Sequence, residues 1–268
     1  MKTLIKNIDV FTMDAEKRRF QDGAILYDGD TIEFVGSYSE LVNSNKVDLE
    51  KVKLIDGKGM LALPGFINAH THIAMTAFRG YADNMPLWEW LTEKIWPMED
   101  KLEPEDAYWL TLLGAAEMIS AGVTTFSDMY MFTREIAKAA SDSGMRAVIS
   151  RGLTGPDDQM QQRLRDVEEL AEWKGDAEGR ITMMIGPHSV YTCTPEFLKT
   201  CRQLAEKYEA GIHIHLAETS KEVSDCIDEY GSTPVEHIYK LGLLELPVTA
   251  AHCVHLTEDD MDLMAKYN

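Results

Sequence analysis

The stretch LPGFINAHTHIAMTAFRG, residues 63–80, decides how the rest of this sequence is interpreted. It opens with apolar residues broken by a Pro-Gly pair and then places His70 and His72 two residues apart. If residues 66–72 form a strand, alternate side chains share one face and the two imidazoles lie close together. Two imidazoles at a strand end supply half of a typical zinc site. An isolated H-x-H pair is more often ordinary packing, so the interpretation depends on residues elsewhere.

Composition narrows the class of protein. With 26 basic and 45 acidic residues, the chain of 268 residues has a formal net charge of −19, which argues against binding to nucleic acid or to an anionic membrane. The four cysteines show no C-x-x-C spacing, so neither a disulfide scaffold nor a thiolate zinc site is expected. Because no signal peptide and no long apolar run are recognisable, we expect a cytoplasmic location.

The pattern of elements changes near residue 60. Residues 1–60 consist of short β-type segments separated by Asp-Gly turns, and we predict that they form the N-terminal part of a small β-sandwich. Residues 61–268 alternate apolar strands with amphipathic helices, a pattern typical of a parallel sheet covered by helices. Six strands are predicted in this second part, near residues 66–72, 123–128, 146–151, 181–188, 211–217 and 247–253.

Polar residues collect at the C-terminal ends of these strands. An open sheet and a closed barrel both fit the alternation of strands and helices, but in a (β/α)8 barrel all such ends meet at one mouth, where active sites lie. The α/β class and a TIM-like barrel are therefore predicted. The residues expected at the mouth are His70, His72, Asp128, Arg151, His188, His215, Glu218 and His252.

The segments PGFINAHTH, GPHSVYTC, HIHLAETSKE and AAHCVHL together resemble the amidohydrolase superfamily. Within it the chain looks like the methylthioadenosine/S-adenosylhomocysteine deaminase branch, close to chlorohydrolases and to cytosine and guanine deaminases. The resemblance implies a (β/α)8 metal-dependent hydrolase barrel beside a β-sandwich made from both chain ends. It also implies a single divalent metal ion, usually zinc, with His70, His72 and His215 as ligands. The strand-four position carries His188 rather than a bridging lysine, which favours one ion over two.

Two further residues take catalytic roles by this resemblance. Glu218, in H-L-A-E, would accept a proton from the attacking water and pass it to the ring nitrogen of the substrate. By itself, Glu218 is better explained as an acid near a helix N-terminus, and the three histidines reverse that preference. His252 would stabilise the attacking hydroxide and the tetrahedral intermediate, and the alternative is a hydrogen-bonded histidine at a strand end. His213 is expected deeper on the face of His215, as a core residue or a residue that supports the ligands.

Substrate-binding roles follow from the same resemblance. Glu99 would bind the ribose hydroxyls and His188 the purine ring, with Glu218 also contacting the substrate. Arg151 and Arg163 would bind the homocysteine carboxylate, because a planar guanidinium matches a carboxylate. Arg163 lies in a charged run and is also explained as part of a solvated helix face.

Part of the family pattern is not found in residues 1–268. The family's fourth protein ligand is an aspartate at the end of an eighth strand, and six strands are predicted here, so we expect the chain to be truncated before strands seven and eight. Both a cut chain and a natural truncation satisfy that expectation. Asp128 closes the second strand and is not assigned the aspartate's role by any motif.

The leading hypothesis is a hydrolytic deaminase of 5′-methylthioadenosine or S-adenosylhomocysteine, which releases ammonia and leaves the inosine analogue. The expected partner is a small purine nucleoside, with no nucleic acid and no membrane, and a homo-oligomer is compatible. The alternatives are another amidohydrolase, such as a guanine or pterin deaminase or a triazine chlorohydrolase, and a truncated remnant without catalysis.

Overall fold

The computed structural model describes residues 2–44 and 47–267 of the chain. It divides into two compact units, Met1–Gly65 and Phe66–Asn268. Among the described residues, no helix is both long enough and apolar enough to cross a membrane.

The first unit is built around one mixed sheet. Strand β1 pairs with β2 in antiparallel fashion and with β4 and β5 in parallel fashion, and β3 completes the edge beyond β2. A capping box between Ser37 and Glu40 starts the short helix of this unit. The predicted β character of this region is confirmed, while its place in a composite sandwich and the boundary at residue 60 stay predictions. The elements are β1 (Thr3–Phe11), β2 (Arg19–Asp28), β3 (Thr31–Ser37), α1 (Tyr38–Asn43), β4 (Lys53–Asp56) and β5 (Leu61–Ala62).

The second unit alternates six strands with helices. Its strands are β6 (Phe66–Thr71), β7 (Val123–Tyr130), β8 (Arg146–Leu153), β9 (Ile181–Pro187), β10 (Gly211–Leu216) and β11 (Val248–His252). A 3-10 helix (Ile73–Phe78) follows β6, and a π-helical segment (Trp90–Ile95) lies between α2 and α3. A second 3-10 helix (Leu243–Glu245) follows α10. The α-helices are α2 (Leu87–Glu89), α3 (Trp96–Glu99), α4 (Pro104–Ser120), α5 (Thr133–Ser143), α6 (Met160–Glu172), α7 (Asp176–Gly179), α8 (Pro195–Lys207), α9 (Ser220–Tyr230), α10 (Pro234–Lys240) and α11 (Glu258–Lys266).

The helix ends in this unit follow from local chemistry. Thr194 caps α8 by accepting a hydrogen bond from the Phe197 amide, and Pro195 occupies the first turn, where a missing N–H costs nothing. Gly144 ends α5 with a φ of +80°, a conformation that glycine adopts without steric cost. Both signals are readable in the sequence, because a threonine before a proline favours a helix start and a glycine favours a helix end.

The six strands are parallel and follow one another in chain order across the sheet. Neighbouring strands lie about 4.8 Å apart, so a flat sheet would separate β6 from β11 by about 24 Å. The ring centroids of His70 on β6 and His252 on β11 are 5.2 Å apart. The sheet therefore curls strongly, which confirms the TIM-like barrel, and it gathers the C-terminal strand ends into one place.

Candidate active site

Three histidines converge at the C-terminal end of the curled sheet. His70 lies on β6, His72 directly follows that strand, and His215 lies near the end of β10. One possible ligand atom from each of the three lies within 4.8 Å of the others. Within residues 2–44 and 47–267, no other group of His, Cys, Asp or Glu side chains shares this arrangement.

Backbone carbonyl groups fix the protonation of two of these rings. His72 Nδ1 lies 2.5 Å from the Met129 carbonyl oxygen, and His215 Nδ1 lies 2.8 Å from the carbonyl oxygen of His188. Because a carbonyl oxygen only accepts, both Nδ1 atoms carry the hydrogen and both Nε2 atoms carry a lone pair. Those two Nε2 atoms lie 3.3 Å apart, although neither can donate to the other. Two nitrogen ligands about 2.05 Å from a tetrahedral zinc ion would be about 3.3 Å apart.

The third ring offers its Nε2 in the same way. His70 Nδ1 lies 2.8 Å from His213 Nε2, and its own Nε2 is buried without a hydrogen-bond partner among the described residues. Burial, reinforced by the neighbouring imidazoles, lowers the pKa of His70 to about 3 and lowers the pKa of both His72 and His215. The rings are therefore neutral near pH 7, which is the form that binds a metal ion. This set of donors fits a divalent transition metal.

An acid–base pair lies beside these rings. Glu218 Oε1 is 3.6 Å from His252 Nε2, and the His252 ring stacks on His215 with centroids 5.3 Å apart. Burial raises the pKa of Glu218 and lowers the pKa of His252. A carboxylate with a raised pKa suits proton transfer near neutral pH.

Glu222, which is not among the residues predicted from the sequence, holds Glu218 in place. Glu222 is buried, and its carboxylate accepts hydrogen bonds from the backbone amides of Ala217 (2.9 Å) and Glu218 (2.8 Å). Thr219 caps helix α9 by accepting from the Glu222 amide, so the pattern is T-x-x-E. That pattern marks a helix start, but the structure shows the glutamate carboxylate bonded to the two residues before the cap.

A cavity of about 620 Å³ opens next to the histidines. Its size falls in the range of small-molecule sites, about 300–1,000 Å³. Polar side chains predicted to bind substrate line it together with aromatic and apolar ones. The polar lining includes the predicted substrate-binding residues Glu99, Arg151, Arg163 and His188 as well as His72, Asp100 and Asp157, and the apolar lining includes Met75, Trp90, Leu91, Ile95 and Trp96.

Both arginines of the cavity already have acidic partners. Arg151 Nε donates to Asp166 (2.7 Å), and Arg163 Nη1 donates to both oxygens of Asp157 (2.7 and 2.8 Å). Their side chains are 15% and 13% exposed, so Arg163 does not lie on a solvated helix face. Arg151 Nη1 donates to the neighbouring Gly152 carbonyl, and its Nη2 has no partner among the described residues. This end of the cavity is therefore nearly balanced in charge, with one donor still available.

Glu99 and His188 lie in the same cavity. Burial raises the pKa of Glu99, and the nearby Tyr130 hydroxyl opposes that rise. Tyr130 also lines the cavity, although no motif marks it in the sequence. His188 Nδ1 contacts the hydroxyl groups of Thr192 (3.0 Å) and Ser189 (3.2 Å), and burial lowers the pKa of this ring to about 4.

Asp128 does not join the three histidines. It is fully buried, its Oδ1 accepts a hydrogen bond from the Ile73 amide (2.6 Å), and burial raises its pKa to about 7. The amide that it binds directly follows His72, so Asp128 helps to shape the chain at that histidine. His237 lies away from the three histidines on the packed face of α10, where it is buried and stacked on Tyr230 with centroids 4.2 Å apart.

Comparisons with known proteins agree with this arrangement. The model of the amidohydrolase family matches residues 61–268. A 5-methylthioadenosine/S-adenosylhomocysteine deaminase from Caldanaerobacter subterraneus subsp. tengcongensis is 47% identical over 98% of this chain and 60% of the relative. A solved adenosine deaminase from Xanthomonas campestris with bound zinc superposes with a TM-score of 0.87 at 27% identity, covering 99% of this chain and 60% of that chain. A triazine hydrolase from Arthobacter aurescens gives a TM-score of 0.86 at 25% identity, covering 99% and 63%.

The chain spans about 60% of the length of the curated relatives that it matches. Within that span, the family match covers the whole second unit, which carries the three histidines, Glu218 and the cavity. We conclude that this chain belongs to the amidohydrolase family.

Proposed function

We propose that this chain provides the metal-binding and substrate-binding core of a hydrolytic deaminase that acts on adenosine thioethers. The substrates would be 5′-methylthioadenosine and S-adenosylhomocysteine, and the products ammonia and the inosine analogue. One observation supports this proposal above the others: the four residues expected to bind the nucleoside, Glu99, Arg151, Arg163 and His188, line one cavity together with His72. The name of the 47% identical relative points to the same substrates.

A single divalent ion, zinc, would be held by the Nε2 atoms of His70, His72 and His215. When bound, it would supply Lewis acidity and lower the pKa of a water molecule to about 7. This assignment is supported by the hydrogen bond at Nδ1 of each ring, which places the hydrogen on Nδ1 and leaves a lone pair on Nε2. The zinc-bound adenosine deaminase with the same fold supports the choice of metal.

Glu218 and His252 would move and stabilise charge during the reaction. Glu218 would accept a proton as water adds to the amino-bearing carbon of the purine, and would then protonate a ring nitrogen. The remaining proton of the added hydroxyl would then pass through Glu218 to the amino group, after which the carbon–nitrogen bond breaks, the carbonyl forms and ammonia leaves. His252, 3.6 Å from the Glu218 carboxylate, would stabilise the oxygen that adds to the ring.

The rest of the cavity would select the nucleoside. Glu99 would accept hydrogen bonds from the ribose, His188 would contact the purine, and the free Nη2 of Arg151 would bind a carboxylate at the thioether end, with Arg163 beside it. The formal charge of −19 and four free cysteines suit a cytoplasmic enzyme with a small-molecule substrate. A homo-oligomer stays a prediction.

A panel of substrates tests the proposed function. The zinc-loaded full-length gene product should release ammonia from methylthioadenosine and from S-adenosylhomocysteine. We expect kcat/KM for these nucleosides to exceed that for guanine, a pterin or a chlorotriazine by at least about 10²-fold, because the competitors leave the buried polar groups of the cavity unpaired. A chlorotriazine or guanine as the best substrate would overturn the proposal, and no turnover of any of them would favour a non-catalytic chain.

Replacing Arg151 by methionine should change the choice between the two nucleosides. S-adenosylhomocysteine carries a carboxylate that methylthioadenosine lacks, and a hydrogen bond to a charged group contributes about 1.5–3 kcal/mol. The ratio of kcat/KM values for the two should therefore fall about 10- to 100-fold. Arg165→Met is the matched control, because Arg165 is exposed on the same helix as Asp166. Equal losses on both substrates would remove Arg151 from carboxylate recognition.

A further inference from the structure

A buried hydrogen-bond chain lies behind the first of the three metal-binding histidines. His213 on β10 is fully buried, and its Nε2 lies 2.8 Å from His70 Nδ1. Its other nitrogen, Nδ1, lies 3.0 Å from the hydroxyl oxygen of Ser150 on β8. Ser150 is also fully buried, and its hydroxyl lies 2.7 Å from the backbone carbonyl oxygen of Asp128 on β7.

The direction of every hydrogen bond in this series follows from its last acceptor, the backbone carbonyl of Asp128. The Asp128 carbonyl oxygen only accepts, so the single hydroxyl hydrogen of Ser150 points to it. The Ser150 oxygen must then accept from His213 Nδ1–H, which leaves His213 Nε2 as an acceptor. His213 Nε2 in turn accepts from His70 Nδ1–H, so His70 Nε2 carries a lone pair.

His70 differs from the other two histidines in how its orientation is fixed. His72 and His215 donate directly to carbonyl oxygens, which cannot reverse the bond. His70 donates to another histidine, and an imidazole exchanges donor and acceptor when its tautomer changes. If His213 carried its hydrogen on Nε2, His70 would carry its own hydrogen on Nε2 and could not bind a cation there.

We propose that Ser150 and His213 are positioning residues that hold His70 in the tautomer with a free Nε2, and that Ser150 sets the direction of the chain. The inference rests on the proposed metal role of His70. It assigns to a buried serine hydroxyl, with no contact to the cavity, a share of the metal affinity. Partners behind a metal-binding histidine typically change metal affinity about 10- to 100-fold.

The test is Ser150→Ala in the full-length gene product, with zinc affinity measured by competition against a chromophoric chelator. We expect the dissociation constant for zinc to rise about 10- to 100-fold. Ser127→Ala is the matched control, because Ser127 is buried on β7 and its hydroxyl has no partner among the described residues. An unchanged affinity in Ser150→Ala, or an equal loss in both variants, would overturn the proposal.

Variants at His213 supply the second measurement. His213→Gln keeps a carbonyl oxygen that can accept from His70 Nδ1–H, whereas His213→Leu removes the acceptor. We expect glutamine to retain more zinc affinity than leucine by about tenfold, and equal affinities would contradict the chain. Long-range ¹H–¹⁵N spectra of histidine-labelled protein should show Nδ1–H on His70 in the wild type, and Nε2–H in the metal-free wild type would also contradict it.

The two proposals fail in different ways. If the wild-type protein bound no zinc, the proposed function itself would be wrong. If His72→Ala abolished zinc binding while Ser150→Ala matched the wild type, the metal site would stand and the role of Ser150 would fall.

Discussion

Replacing Glu218 by glutamine is expected to lower the turnover of methylthioadenosine about 10²- to 10⁴-fold while leaving zinc content unchanged. Glutamine has nearly the same shape but no basic oxygen, so it cannot accept the proton that water must lose. Glu218 is not among the three side chains whose nitrogen atoms converge, so its loss should not release the metal. Steady-state kinetics and elemental analysis of the same preparation check both parts of the prediction.

The matched control is Glu229→Gln, which makes the same chemical change at an exposed position on helix α9. This variant should keep turnover within about twofold of the wild type, since surface changes away from special contacts are nearly neutral. Glu218→Gln with near-normal turnover would show that another group moves the proton. A loss of zinc in that variant would instead show that the carboxylate helps to hold the metal.

The pH dependence of kcat follows from the same residue. Burial raises the pKa of Glu218 above its ordinary value, and a base acts only in its ionised form. The rate should therefore rise with pH through the raised pKa and then level off. In Glu218→Gln this acidic limb should disappear, which distinguishes a lost base from a general distortion of the site.

Much of this architecture could be predicted because it depends on local sequence. Apolar strands ending in polar residues, such as β6 with His70 and β10 with His215, indicate both the parallel sheet and its functional edge. Strands in a βαβ arrangement must present their C-terminal ends together, so residues 145 positions apart in the chain, His70 and His215, were expected to meet.

The features that escaped prediction depend on side-chain direction across the fold. Ser150 is one more small residue in a buried strand until the structure places it between His213 and the Asp128 carbonyl. The pairing of Arg151 with Asp166 links a strand end to a helix face, and no fixed spacing marks such a pair. Glu222 follows a recognisable T-x-x-E pattern, but the pattern does not reveal which amides its carboxylate binds.

Replacing His72 by alanine should remove the metal altogether. We expect the full-length gene product to contain about one zinc ion per chain and His72→Ala to contain almost none, because two neutral imidazoles form a much weaker site than three with a further ligand. His255→Ala is the control, because it removes an imidazole at an exposed position, and it should leave the zinc content unchanged.

Thermal unfolding gives a reading of the same site that does not depend on activity. Zinc at about 1,000 times its dissociation constant should stabilise the wild type by about 4 kcal/mol, since it binds the folded chain, and should hardly change the melting temperature of His72→Ala. Calorimetry with and without zinc compares the two proteins.

Two ions per chain in the wild type would contradict a single-metal site, and full zinc content in His72→Ala would remove this histidine from it. His72 Nε2 lies 3.3 Å from the same atom of His215, neither can donate to the other, and a shared cation would make this arrangement favourable.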